Sequence, residues 1–356
     1  MKRKKIFFIL SSLRAGGAER VFWLISNHFN KDIYDVKIVI LNSKNRFFKG
    51  YSSEIEVIDL QTIKASRSFF AILKFLRNER PFAVFTTGGQ IDILLAITSF
   101  FVHIPILIAR STSIPGERIK FASNKSRLLG RFLNLFSFYQ RFNKIVCQTE
   151  EMKLAWEINQ NVKSTKLQVI PNPVESIEKE SLPEIWESEV KLITVGTLSE
   201  VKGHTRLLDI VALLPENYSL TIVGAGSLHD KICQKIELLH LGNRVKMAGQ
   251  ISGVLDTVAH HNLFVLTSFV EGFPNVALEA LSVGIPVVAF RVSGISELIV
   301  DGFNGYVIEQ GDLEGFKDRL LFAASRVWEH RLIKEDVYSR YSLAPIVAQY
   351  ERLLTL

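Results

Sequence analysis

Ser268-Phe-Val-Glu271-Gly272-Phe273-Pro274-Asn275-Val276-Ala-Leu-Glu279-Ala280 follows a short apolar run at 263–266. That run, Leu-Phe-Val-Leu, is too short for a helix and suits a strand covered on both faces. Gly272 and Pro274 mark a turn, and 275–281 has helical spacing. The stretch reads as strand, turn and helix, with Glu271 in the turn and Glu279 about two helical turns further on. The first amides of such a helix lack intrahelical acceptors. Carboxylates accept hydrogen bonds from hydroxyls, and helix amides bind phosphate. The pattern suits a sugar diphosphate; the plainer alternative is a helix cap with a surface glutamate.

The same alternation of short Ile/Val-rich runs with amphipathic segments covers the chain. Strands are expected at 6–10, 36–41, 83–86, 106–109, 145–148 and 168–170, then at 192–195, 219–223, 245–248, 263–266 and 286–289. Runs of this kind between helices argue for doubly wound parallel sheets. The chain has 356 residues and is 47% hydrophobic, enough for two domains with cores of their own. The pattern restarts near 190, after Pro171-Asn-Pro173 and a charged stretch. The expected architecture is α/β: two Rossmann-like doubly wound domains, 1–175 and 176–340, facing a cleft, with a last helix at 341–356 returning to the first. Ligands bind such sheets at the carboxyl ends of the strands.

Charge is uneven. Through residue 175 there are 27 Lys and Arg against 13 Asp and Glu, or +14; the remainder has 16 against 23, or −7. A basic first half calls for an anionic partner. The two cysteines, Cys147 and Cys233, make no disulfide framework, and a reducing compartment is expected. The basic and apolar start resembles a signal peptide, but its apolar run, 6–10, is short and Arg14 follows, so a first buried strand is expected. No run qualifies as a transmembrane helix.

Three further glycine turns follow expected strands. Gly16-Gly17 opens a helix, where backbone N–H groups can approach an anion. Gly196-Thr197-Leu-Ser-Glu-Val-Lys202-Gly203-His204 adds a lysine able to offset a diphosphate. Gly224-Ala-Gly226 repeats the strand-and-turn form. Taken singly, each is equally a tight turn.

Together these motifs, with Gly284-Ile-Pro-Val-Val288, Gly294-Ile-Ser-Glu297 and Asp301-Gly-Phe-Asn-Gly305 in order, resemble the retaining glycosyltransferases of family 4, which have the GT-B fold. The resemblance covers nearly the whole chain. It implies a nucleotide-sugar donor bound mainly by the second domain. Glu279 would meet the donor ribose. Glu271 would lie by the sugar hydroxyls and the reaction centre, with Gly272. The amides of Phe273, Asn275 and Val276, around Pro274, would meet sugar and diphosphate. Gly16 and Gly17 would close over the diphosphate, Lys202 would offset its charge, and the base would lie near 247–251. The family often carries Arg where Thr197 stands, so Arg291 or Arg110 is expected to compensate as a phosphate or acceptor contact. It also often carries His near 110–113, where this chain has Arg110-Ser-Thr-Ser113.

The resemblance implies transfer of a hexose or N-acetylhexosamine from a UDP-sugar, with retention of configuration, in O-antigen or capsule synthesis. No cofactor and no metal are expected, because no Asp-x-Asp pair occurs and the histidines lack ligand spacing. The segment 118–144 has no acidic residue, and its basic residues mingle with Phe and Leu. It reads as a basic amphipathic surface for an anionic membrane, or as a core-facing helix with a solvated basic face. The first suits a peripheral protein at the cytoplasmic face and a polyprenyl diphosphate-linked or oligosaccharide acceptor. A nucleotide-sugar epimerase would share the glycines but leave the basic half unexplained. A nucleic-acid binder would use that half, but no nucleic-acid motif appears and no such partner is expected.

Overall fold

The computed structural model describes residues 3–13, 16–42, 55–62, 68–115, 138–160, 162–175 and 189–355. The chain forms two compact units, Met1–Pro173 with Leu343–Leu356, and Val174–Ser342.

The first unit is built on a parallel sheet of β1 (Lys4–Leu10), β2 (Tyr34–Ile40), β3 (Glu56–Asp59), β4 (Ala83–Thr87), β5 (Ile106–Arg110), β6 (Lys144–Cys147) and β7 (Leu167–Val169), in the order β3-β2-β1-β4-β5-β6-β7. Helices α1 (Gly17–Asn27), α2 (Phe69–Glu79), α3 (Gly89–Thr98) and α4 (Glu150–Gln160) connect the strands. The β1 sequence shows why the sheet is covered on both faces. Phe7 packs towards Phe75 of α2, with ring centroids 5.1 Å apart. Its neighbour Phe8 points the other way, stacking on Phe85 at 4.8 Å and meeting Phe22 of α1 edge-on at 5.1 Å. Alternate side chains of a strand point to opposite faces, so an unbroken apolar run needs helices on both.

The second unit carries β8 (Val190–Val195), β9 (Tyr218–Val223), β10 (Val245–Gly249), β11 (Leu263–Leu266), β12 (Val287–Phe290) and β13 (Gly305–Ile308), all parallel, in the order β10-β9-β8-β11-β12-β13. Its helices are α5 (His204–Ala212), α6 (His229–Leu238), α7 (Val254–Ala259), α8 (Asn275–Ser282), α9 (Ile295–Leu298), α10 (Leu313–Ala324) and α11 (His330–Tyr341). The last helix, α12 (Leu343–Arg352), belongs to the first unit, where buried Tyr350 lies 6.0 Å from Phe85. Glu351 there accepts the Asn30 amide at 2.7 Å.

Every strand expected from the sequence is present within a few residues. Two more, β3 and β13, sit at sheet edges. Strand order reverses between β8 and β11 in the second unit. The loops leaving these two neighbours therefore diverge from a shared crevice, where doubly wound sheets place their ligands.

Candidate active site

The loops after β8 and β11 bring together residues 69 positions apart. Lys202 Nζ donates to Glu271 Oε1 at 2.6 Å. Ser268 Oγ donates to the same oxygen, also at 2.6 Å. Glu271 is only 6% exposed, so the pair is largely desolvated and stands on its hydrogen bonds. Both contacts fall on Oε1; among the described residues Oε2 has no donor. The lysine expected to act on a diphosphate is thus first the partner of the carboxylate.

Glycines allow the loops to meet. Gly203 has φ +65°, and a Cβ there would stand 2.0 Å from the Thr267 carbonyl oxygen. At Gly224, with φ +142°, a Cβ would stand 1.9 Å from the Gly196 oxygen. No side chain fits either position without moving backbone. The Lys202 stem passes over Gly196, within 3.6 Å of where a Cβ would be. Two bonds lace the loops: Phe269 N to Val201 O at 2.8 Å, and Thr267 Oγ1 to Gly203 O at 3.2 Å. Thr197 is exposed beside this turn.

After Glu271 the chain turns through Gly272, Phe273 and Pro274 into α8. Ala277 and Leu278 donate to the Pro274 carbonyl, and Asn275 donates to Phe273 O at 2.9 Å. The amides of Gly272, Phe273 and Val276 have no acceptor among the described residues. Of the amides expected to meet a ligand, Asn275 is therefore internally engaged, whereas Phe273 and Val276 remain available. Glu279 is half-buried on α8, one residue after a fully covered Leu278.

Sequence reading missed Arg206 and Gln310. Arg206 sits between the rings of Phe269 and Phe290, with its guanidinium carbon 3.8 and 4.1 Å from their centroids. Its Nε donates to Thr267 O and its Nη2 to Ser268 O, both at 2.8 Å. Gln310 accepts from Arg206 Nη1 at 2.8 Å and donates to Ser268 O at 3.0 Å. Burial lowers the Arg206 pKa to about 10, which leaves it cationic at neutral pH. Nothing local in the sequence signals these contacts. Beside Lys202, His204 is 2% exposed and its Nδ1 has no partner among the described residues. Burial first, and Lys202 second, push its pKa down to about 4, so the ring is neutral.

The other expected residues lie elsewhere. Arg291 donates to Glu309 at 2.6 Å and to Ser296 at 2.7 Å. In the first unit Gly16 caps α1, and the Glu19 carboxylate folds back to within 2.2 Å of where a Gly16 Cβ would stand. Arg110 ends β5 at 2% exposure, bonded to Asn172 and 5.8 Å from the Phe22 ring. Asp92, in the first turn of α3, is 4% exposed and accepts from Thr86 at 3.1 Å. Burial pushes its carboxyl up to about 7, against the Thr86 bond. Most of the basic stretch 118–144 lies outside the described residues, which resume at Phe138. Among the described residues no group of three His, Cys, Asp or Glu could hold a metal. No described helix is long and apolar enough to cross a membrane.

Two α/β units with parallel sheets, the second with a carboxylate and unpaired amides at its strand-order reversal, define the GT-B class of glycosyltransferases. The match to a solved structure agrees on the fold: Anabaena HepE in complex with UDP and glucose superimposes with a TM-score of 0.80 at 19% identity, covering 99% of this chain and 100% of that one. Residues 177–331 match the family model described as Glycosyl transferases group 1. Relatives span both units. An uncharacterized glycosyltransferase of Haemophilus influenzae is 27% identical over 87% of this chain and 88% of its own length. A Campylobacter jejuni protein is 26% identical over 85% of this chain and 84% of its own. Its name is GalNAc-alpha-(1->4)-GalNAc-alpha-(1->3)-diNAcBac-PP-undecaprenol alpha-1,4-N-acetyl-D-galactosaminyltransferase. The second unit thus carries the group 1 glycosyl transferase match, and the chain as a whole is similar to glycosyltransferases of the family 4 type.

Proposed function

We propose that this glycosyltransferase moves a hexose or N-acetylhexosamine from a UDP-sugar, with retention of configuration, to a sugar acceptor carried on a polyprenyl diphosphate. The product would extend a surface polysaccharide of the O-antigen or capsule kind. One observation carries the reading. Glu271 presents a buried carboxylate next to the Lys202 ammonium, with Oε2 and three nearby amides unpaired among the described residues. Hydroxyl acceptor, phosphate donors and cation thus meet at one turn, as a sugar diphosphate requires. The names of relatives support the substrate classes: one carries undecaprenol and GalNAc in its name, and a structural neighbour was solved with UDP and glucose.

In this reading the amides of Phe273 and Val276, with Lys202, hold the diphosphate. Glu271 orients sugar hydroxyls by the anomeric carbon, and Glu279 binds the ribose. The C1–O bond to the diphosphate breaks while the acceptor oxygen bonds C1 on the same face. The acceptor's proton passes to the leaving phosphate oxygen, so no imidazole base is needed. Negative charge grows on the diphosphate as that bond breaks, and preorganised amides and Lys202 stabilise it more than the ground state. The reaction needs no divalent metal. The basic sequence 118–144 favours a peripheral site at the inner face of the cell membrane.

The test is a panel of UDP-sugars with a short-chain polyprenyl diphosphate-linked sugar acceptor, in EDTA, with product anomers read by NMR. Acceptor-dependent UDP release with the donor's α configuration kept supports the reading. An inverted anomer, turnover only with Mn²⁺, or donor epimerisation without acceptor would each contradict it.

A further inference from the structure

We infer that Arg206 and Gln310 are positioning residues for transfer: they fix the backbone that aims Ser268 and Lys202 at Glu271. This rests on the reading of Glu271 given above. The guanidinium fork grips two consecutive carbonyls, Thr267 and Ser268, at 2.8 Å each. Gln310 holds the third edge of the fork and adds a second donor to the Ser268 carbonyl at 3.0 Å. Pinning two successive peptide planes fixes the direction of the Ser268 side chain, whose hydroxyl meets Glu271 Oε1 at 2.6 Å. The same segment carries the bonds to Val201 and Gly203 on either side of Lys202. One clamp therefore sets both donors on Oε1 and leaves Oε2 directed elsewhere.

An apolar side chain would fill the space between Phe269 and Phe290 at lower desolvation cost. An arginine is placed there instead, with no carboxylate partner among the described residues. Its donors match the carbonyls before Glu271 one for one, which is the arrangement a rigid site needs from its supporting residues. Arg206 lies 65 positions before Glu271 and Gln310 lies 39 after it, so the clamp ties three separate parts of the chain.

The test measures kcat and donor KM for Arg206→Lys and Gln310→Met, alone and combined with Glu271→Ala, with thermal unfolding alongside. A lysine keeps the charge but cannot form the fork. We expect Arg206→Lys to lower kcat by about thirtyfold, with donor KM within about threefold of wild type. Gln310 is exposed, so Gln310→Met should fold normally and lower kcat by about threefold to fivefold. In the Glu271→Ala background, Arg206→Lys should cost less than about twofold more, because a group acting through Glu271 has nothing left to aim. Wild-type kcat in both single variants overturns the inference. So does full additivity with Glu271→Ala, which would mean a merely structural role. An inactive wild type, or an unimpaired Glu271→Ala variant, instead removes the functional reading on which the inference rests.

Discussion

The two units differ in how far the polar groups at their strand ends are tied together. In the second, Lys202, Ser268, Glu271, Arg206 and Gln310 bond to one another in one connected network, beside which His204 Nδ1 and Ser293 Oγ stay unpaired among the described residues. In the first, buried groups at the ends of β2, β5 and β6 are left short: Asn42 Oδ1, Arg110 Nε and Nη1, and Gln148 Nε2 have no hydrogen-bond partner among the described residues. A buried polar atom without a partner costs about 1–3 kcal/mol, and a fully connected network rigidifies. The second unit is built to hold a fixed geometry before any ligand arrives. The two arginines make the contrast plain: half-buried Arg206 makes three hydrogen bonds, whereas the buried Arg110 guanidinium bonds to Asn172 and leaves Nε and Nη1 without a partner among the described residues.

The contrast can be broken at several points. Gly224→Ala forces a Cβ against the Gly196 carbonyl in the left-handed backbone region. It should destabilise the second unit by about 4 kcal/mol, read by urea unfolding. Arg206→Met removes the side-chain donor to the Thr267 carbonyl, leaves Ser268 O to Gln310 alone and should cost about 3 kcal/mol. The same change at Arg110 removes a buried cation whose Nε and Nη1 have no partner among the described residues and should stay within about 1 kcal/mol of wild type. Equal losses at both would erase the distinction.

Titration should separate the units as well. Asp92 has its folded pKa raised from 3.8 to about 7. Between those values the folded state binds the extra proton, so stability falls as pH rises through the window and levels off above it. Asp92→Asn should therefore be more stable than wild type by about 2 kcal/mol at pH 8 and no more stable at pH 4. His204 runs the other way. Its folded pKa is lowered from 6.5 to about 4, so its contribution is present above pH 6.5 and lost as pH falls towards 4. A pH series of unfolding midpoints on Asp92→Asn and His204→Gln reads both signs. Smallest is Glu279→Ala, expected to raise donor KM by about tenfold, equal to about 1.4 kcal/mol, with kcat nearly kept.

Much of this was legible in the chain itself. Strand, turn and helix around Glu271 follow from an apolar tetrapeptide, Gly272, Pro274 and a 3.6-residue period, and all three are local signals. β3 escaped because Glu-Val-Ile-Asp at a sheet edge lacks an unbroken apolar run; its residues are half-buried or exposed. β13 was read as a glycine motif rather than a strand, because Gly305 begins it and needs an open Cβ position against Val287 O. The partnership of Lys202 with Glu271 was hidden for a different reason. Each residue was assigned to ligand, and only the reversal of strand order between β8 and β11 brings them within 2.6 Å. Arg206 looked like one charge on an amphipathic helix, since its acceptors lie 61 and 62 positions away.

The central claim is that the turn carrying Glu271 is the reaction centre and that Glu271 works on the donor sugar. Steady-state UDP release by Glu271→Gln, with saturating acceptor, tests it most directly. Glutamine keeps the shape but loses the charge paired with Lys202. The account predicts a fall in kcat of about a hundredfold or more with donor KM changed by less than about threefold. Wild-type kcat in that variant would contradict it.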